Sequence, residues 1–168
     1  LINDSDVEGD AITATLVNNV SSGVLNLSPD GSFDYTPTAD FNGQDSFTYV
    51  AQDSDNSNEV TVTITVNSIN DAPVAVIDNY IVNEDQQLVV DSLAGVLAND
   101  TDVDHLQADL SVTLVTGPTD GVMNLNPDGS FDYQPNQDFV GTDTFEYEVS
   151  DGALTSTIIS EIEVTNVN

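Results

Sequence analysis

Residues 23–49, GVLNLSPDGSFDYTPTADFNGQDSFTY, return with most positions identical as residues 121–147, GVMNLNPDGSFDYQPNQDFVGTDTFEY. The offset is 98 positions, and it holds beyond this block. Asp53 matches Asp151, and ITVNSIN at 64–70 matches IEVTNVN at 162–168. Upstream, LINDSDVEGD from Leu1 aligns with LANDTDVDHL from Leu97 at an offset of 96, so the second copy carries two extra residues near His105. A repeat of this length means two copies of one domain rather than one fold with symmetric motifs. The copies are unequal, because residues 71–96 have no counterpart before Leu1. The expected organisation is a partial repeat over 1–70, lacking its first strand and most of its second, and a complete repeat over 71–168. The chain then reads as a window cut from a longer tandem array.

The complete copy resolves into seven short strands, expected at 74–82, 87–97, 110–116, 121–126, 130–134, 142–149 and 156–165. Alternation is clear in the last two, where Phe145, Tyr147 and Val149 share one face and Ile158, Ile162 and Val164 alternate with polar residues. The first copy shows the same period in VTVTITV at 60–66. Between the fourth and fifth strands, Asn126-Pro127-Asp128-Gly129 puts Pro and Gly where a tight turn needs fixed and then positive φ. No segment has a helical period. Seven strands in about 100 residues, punctuated by turns, predict an all-β chain of two tandem immunoglobulin-like sandwiches, the first N-terminally truncated. Phe33, Tyr35, Phe41, Phe47 and Tyr49, with Phe131, Tyr133, Phe139, Phe145 and Tyr147, are read as core rather than as a sugar-binding platform, and the chain has no Trp.

Thirty side chains are Asp or Glu and none is Lys or Arg, giving a net charge of −30. Nucleic-acid phosphates and anionic lipid surfaces would be repelled. No apolar run is long enough for a membrane span, so no membrane insertion is expected. Two carboxylates about 4 Å apart repel by roughly 4 kcal/mol at an effective dielectric near 20. With no basic side chain at hand, acids must stay apart in water or be neutralised by a dissolved cation. Much of the charge reads as solvation, so the clusters carry the information.

In a seven-strand sandwich, the loops after the second, fourth and sixth strands share one end with the segment leading in. That end of the second copy would collect Asn70 and Asp71, Asp100, Asp102, Asp104 and Asp109, and Asp151. The first copy would add Asp40, with Asp45 a further candidate, from the loop after its own fifth strand. Asp-x-Asp-x-Asp at 100–104 offers an oxygen every second residue. Calcium takes six to eight oxygens and tolerates irregular geometry, whereas zinc and copper favour His or Cys, of which the chain has one His and no Cys. An EF-hand fails: counted from Asp100, its Gly and Glu positions hold His105 and Ser111. His105 is read as a solvent-facing loop residue, with a metal ligand as the alternative. No enzyme is expected, since acids at every loop are a poor acid–base signal and no Ser/His or Cys/His pair is available beyond that lone His.

These residues resemble the cadherin-like tandem repeats of large bacterial surface and secreted adhesins. The resemblance lies in Asn70-Asp71-Ala72-Pro73-Val74, Asn83-Glu84-Asp85, 96–102 (VLANDTD), 126–131 (NPDGSF), Tyr133-Gln134-Pro135, 139–145 (FVGTDTF) and 149–152 (VSDG). It implies Greek-key sandwiches strung end to end and stiffened by Ca2+ at the joints. Asn70 and Asp71 would then be linker ligands, and Asp102, Asp104 and Asp151 ligands of the following domain. Glu84 and Asp85 would serve the far end, toward a further domain. Asp4, Asp6, Glu8, Asp10 and Asp53 would repeat the arrangement toward a preceding domain. Ser68 stands where the cadherin linker places an Asp, which implies fewer ions. The function so implied is a calcium-rigidified spacer in an extracellular or cell-surface adhesin or filament, with neighbouring repeats as partners. The alternatives are a module binding carbohydrate, a surface ligand or protein, or a filament subunit exchanging strands with other copies of the chain.

Overall fold

The computed structural model describes residues 1–7, 9–53 and 58–167. Internal contacts divide the chain into two units, Leu1–Ile69 and Asn70–Asn168.

In the first unit, β1 (Thr13–Asn18), β4 (Gly43–Gln52) and β5 (Val60–Val66) form one antiparallel sheet with β4 central. The hairpin β2 (Gly23–Leu27) and β3 (Phe33–Pro37) forms a second layer. Leu25, Phe47 and Tyr49 are buried, so alternate residues of β2 and β4 form the core. Its turn, Ser28 to Gly31, closes with a Gly31 N–H to Ser28 carbonyl bond, and Gly31 sits at φ +84°, a conformation that only glycine takes without cost.

In the second unit, β6 (Asn79–Asn83), β7 (Leu88–Val90), β8 (Ser111–Thr116), β9 (Gly121–Leu125), β10 (Phe131–Pro135), β11 (Gly141–Ser150) and β12 (Thr155–Thr165) build two sheets. One runs β6-β12-β11-β8 and the other β7-β10-β9. All pairings are antiparallel except β6 with β12, which run parallel from Asn79↔Glu161 to Asn83↔Thr165. Tyr133, Phe145, Tyr147, Val149 and Ile162 fill the space between the sheets. The fold is an all-β sandwich. Its β9–β10 register, Gly121↔Pro135 to Leu125↔Phe131, repeats that of β2–β3, Gly23↔Pro37 to Leu27↔Phe33.

Two strands are shorter than their sequence suggests. Of the first strand expected at 74–82, Val74 makes only an isolated bridge to Thr101, and the ladder starts at Asn79. Between them Asp78 is buried, taking hydrogen bonds from the Tyr147 hydroxyl and the Ser160 hydroxyl, which draws the backbone inward. The second strand, expected at 87–97, ends at Val90 because Asp91 Oδ1 accepts the Leu93 and Ala94 N–H groups and turns the chain. Val96 and Leu97 are then buried from a turn rather than a strand. A single 3-10 turn, Gln107–Asp109, follows.

Among the described residues, the first unit has no strand in the places that β6 and β7 take. In the second unit β10 pairs with β7, Phe131↔Val90 and Tyr133↔Leu88, and Phe131 is 2% exposed. Its counterpart Phe33 is 43% exposed.

Candidate metal centre

Each unit draws the first Asp of its Asp-x-Asp motif to a core tyrosine. In the second unit Asp100 is buried, its Oδ1 accepting the Val76 N–H at 2.7 Å and its Oδ2 standing 3.5 Å from the Tyr147 hydroxyl. In the first, Asp4 Oδ2 accepts the Tyr49 hydroxyl at 2.9 Å. Burial is the larger influence on Asp100 and pushes its carboxyl up to about 6, against the Val76 bond and with the added repulsion of Asp78. Asp100 is therefore a core residue.

The second Asp of each motif does something else. The Asp102 side chain has no exposed surface. Its Oδ1 accepts the Asp104 and His105 N–H groups, both at 2.8 Å, and lies 3.2 Å from His105 Nδ1. Its Oδ2 is buried with no hydrogen-bond partner. Asp151, in the β11–β12 turn, accepts the Ala153 and Leu154 N–H groups through Oδ1, at 2.6 and 2.7 Å. Its Oδ2 accepts Asn70 Nδ2 at 2.7 Å. The Leu154 and Ala153 amides, then Asn70, hold its carboxyl down at about 2. Asp102, His105 and Asp151 each bring a ligand atom within 4.8 Å of the others. The Asp71 N–H donates to Asp104 Oδ2 at 2.8 Å, fastening the incoming segment to the same loop.

The first unit repeats this with different side chains. Asp6, Asp10 and Asp53 bring carboxylate oxygens within 4.8 Å of one another. Asp6 Oδ1 also accepts the Asp10 N–H. Asp6 matches Asp102 and Asp53 matches Asp151 in the repeat alignment. Glu8 lies outside the described residues.

The remaining sequence candidates fall elsewhere. Asp109 is exposed on the 3-10 turn. Asp40 occupies the β3–β4 turn at φ +62°. Asp45 is buried, accepting the Ser21, Ser22 and Ser46 N–H groups and the Tyr35 hydroxyl, and these donors, Ser21 first, hold its carboxyl well below the usual range. Glu84 and Asp85 sit at the opposite end of the second unit. Glu84 Oε1 accepts the Val167 N–H, and Asp85 Oδ1 accepts the Asp138 N–H. The group at Asp102 includes His105, for which the sequence favours a solvent-facing loop residue and keeps a metal ligand as the alternative. The only signal for it was the two-residue insertion beside it.

The family profile of the bacterial cadherin-like domain matches residues 1–68 and 70–166. This chain belongs to that family. Solved structures similar to this cadherin-like chain include Drosophila N-cadherin EC1-4, at TM-score 0.65 and 18% identity over 98% of this chain and 43% of that one. Human Protocadherin-24 EC1-2 matches at TM-score 0.58 and 14% identity, over 97% of this chain and 85% of that one. The endo-fucoidan hydrolase MfFcnA4 from glycoside hydrolase family 107 matches at 22% identity and TM-score 0.39, over 95% of this chain and 25% of that one. No curated protein sequence matches.

The hydrolase match corrects the expectation that no enzyme is involved. Similar folded stretches occur within endo-fucoidan hydrolase chains, of which this chain spans about a quarter of the length. At those TM-scores the likeness carries no argument about chemistry in the cadherin-like chain itself. Among the described residues, no helix is long and apolar enough to cross a membrane.

The cation that the family implies can be tested against the residues present. A buried carboxylate oxygen without a donor, as at Asp102 Oδ2, is costly unless a cation faces it. The groups brought together there are the Asp102 and Asp151 carboxylates and the His105 imidazole, with the Asp104 carboxylate and the Asn70 amide beside them. The carboxylates fit a hard divalent ion such as calcium.

Proposed function

We propose that the chain is a pair of calcium-stiffened spacer repeats from an extracellular bacterial adhesin or surface filament. The observation that carries this reading is its repetition within one molecule. Both units bring the second Asp of Asp-x-Asp onto the Asp of the last hairpin turn, Asp6 with Asp53 and Asp102 with Asp151. A sequence without Lys or Arg has no side-chain cation to settle either pair, apart from the single His. In the second unit Asp102, Asp104, Asp151, Asn70 and Asp71 would hold the ion, and in the first Asp6, Asp10 and Asp53. Because Asn70 and Asp71 already bond to Asp151 and Asp104, an ion there would fix the incoming segment to the body of that unit. Glu84 and Asp85, beside the outgoing segment, would do the same toward a following repeat. Extracellular modules of this kind hold calcium at about 10⁻⁴–10⁻³ M, which suits the medium outside a cell.

Calcium at 100 times its dissociation constant should stabilise each site by about 2.7 kcal/mol. Melting followed by circular dichroism should therefore shift upward in millimolar calcium, and the scattering profile should report a narrower spread of shapes than in chelator. Asp102→Asn should remove the share of the shift that belongs to the second unit. Superimposable melting and scattering curves with calcium and with chelator would sink this reading.

A further inference from the structure

The two acidic groups differ in one atom type. At Asp6, Asp10 and Asp53 all ligand atoms are carboxylate oxygens, whereas at Asp102 and Asp151 the third is an imidazole nitrogen from His105. In the repeat alignment His105 stands at the position of Gly9, beside the insertion that distinguishes the second copy. We propose that this group is also a site for a borderline divalent ion of the zinc type, held by His105, Asp102 and Asp151, and that such an ion displaces calcium there but not in the first unit. The inference rests on the reading of these groups as cation sites.

Donor chemistry and local geometry support it. Calcium sites are built from oxygen donors, and an imidazole adds little to them. Zinc takes three protein ligands of nitrogen and oxygen type and leaves a fourth position to water. His105 Nδ1 lies 3.2 Å from Asp102 Oδ1, so the imidazole already stands against the carboxylate whose second oxygen has no partner. Asp102 also has an oxygen to give without breaking a bond. Oδ2 is buried and unpartnered while Oδ1 keeps the backbone donors that fix the loop. Asp151 is likewise anchored by its own turn amides, so the carboxylates are oriented before any ion arrives. Imidazole favours zinc, copper and nickel over calcium, so the preference follows from the donor and not from charge.

His105 is the only histidine in the sequence, so imidazole nuclear magnetic resonance signals report this site alone. Zinc chloride should be titrated into the whole chain held in millimolar calcium, with ring signals and calorimetry read together. The ring signals should shift and saturate at one equivalent, and His105→Asn should weaken zinc binding at least tenfold. Asp102→Asn should do the same, and unchanged zinc binding in that variant overturns the site. Ring signals that stay put while calorimetry shows only weak, many-site uptake would mean zinc is merely condensing on an acidic surface, and the inference fails. Calcium is read separately through melting without zinc. A calcium shift with an unmoved ring overturns the zinc site and leaves the calcium reading standing, while a zinc-shifted ring without a calcium response supports the zinc site and removes the calcium one.

Discussion

Asp78 and Asp100 are buried acids gathered around one hydroxyl, that of Tyr147, 2.9 Å from Asp78 Oδ2 and 3.5 Å from Asp100 Oδ2. Burial raises both carboxyls, Asp100 to about 6, and pushes the Tyr147 hydroxyl up as well, so that it stays a donor. A carboxyl raised in the folded state holds its proton more tightly there than in the unfolded chain. Its stabilising contribution is complete below the unfolded value near 3.8 and is lost as pH rises through about 6. Asp45 and Asp151, both lowered, act in the opposite sense, with stability present above the unfolded value and lost only in stronger acid. In chelator, the melting temperature of the second unit should therefore rise as pH falls from about 7 to 5. Asp100→Asn should flatten that slope, and a midpoint that falls over the same interval would contradict the assignment. None of this was legible in Asp-x-Asp-x-Asp. Its spacing offers three equivalent carboxylates, and only Val76 and Tyr147, 24 and 47 residues away, decide that Asp100 belongs to the core.

The hairpins lie at the other extreme of legibility, because Pro-Asp-Gly sets its own backbone angles and the flanking alternation sets the faces. β9, β10, β11 and β12 fall within a residue or two of their expected spans. The strands that came out short, β6 and β7, are those whose limits depend on side chains reaching back to the backbone, Asp78 and Asp91. At the start of β9, Gly121 lies under the Tyr133 ring, and a Cβ there would collide with Cε2 and Cζ of that ring. The ring is fully buried and its hydroxyl is bonded to Asp143 Oδ2 at 2.8 Å, so it has nowhere to go. Gly121→Ala should cost about 1–3 kcal/mol as overpacking, read as a lower midpoint in urea unfolding. Gly23→Ala would drive its Cβ into the Thr36 carbonyl oxygen of the paired strand as well as the Tyr35 ring, and should destabilise the first unit in the same way.

Across the whole molecule, repulsion among thirty acids opposes the compact state. The Debye length shrinks from about 30 Å at 0.01 M salt to about 3 Å at 1 M. Melting temperature in chelator should climb steeply with sodium chloride and then level off, and the increment from calcium should shrink in the same series as screening takes over part of its role. A midpoint indifferent to salt would mean that the acids are already far enough apart. The parallel pairing of β6 with β12 adds a mechanical consequence. The second unit is entered ahead of β6 and left after β12, and these strands lie side by side pointing the same way. Tension along the chain thus slides one against the other, loading the five pairings from Asn79↔Glu161 to Asn83↔Thr165 together instead of peeling them in turn. A repeat wired this way resists traction through its first and last strands, and its strength under pull is set by that short ladder more than by the heat it withstands.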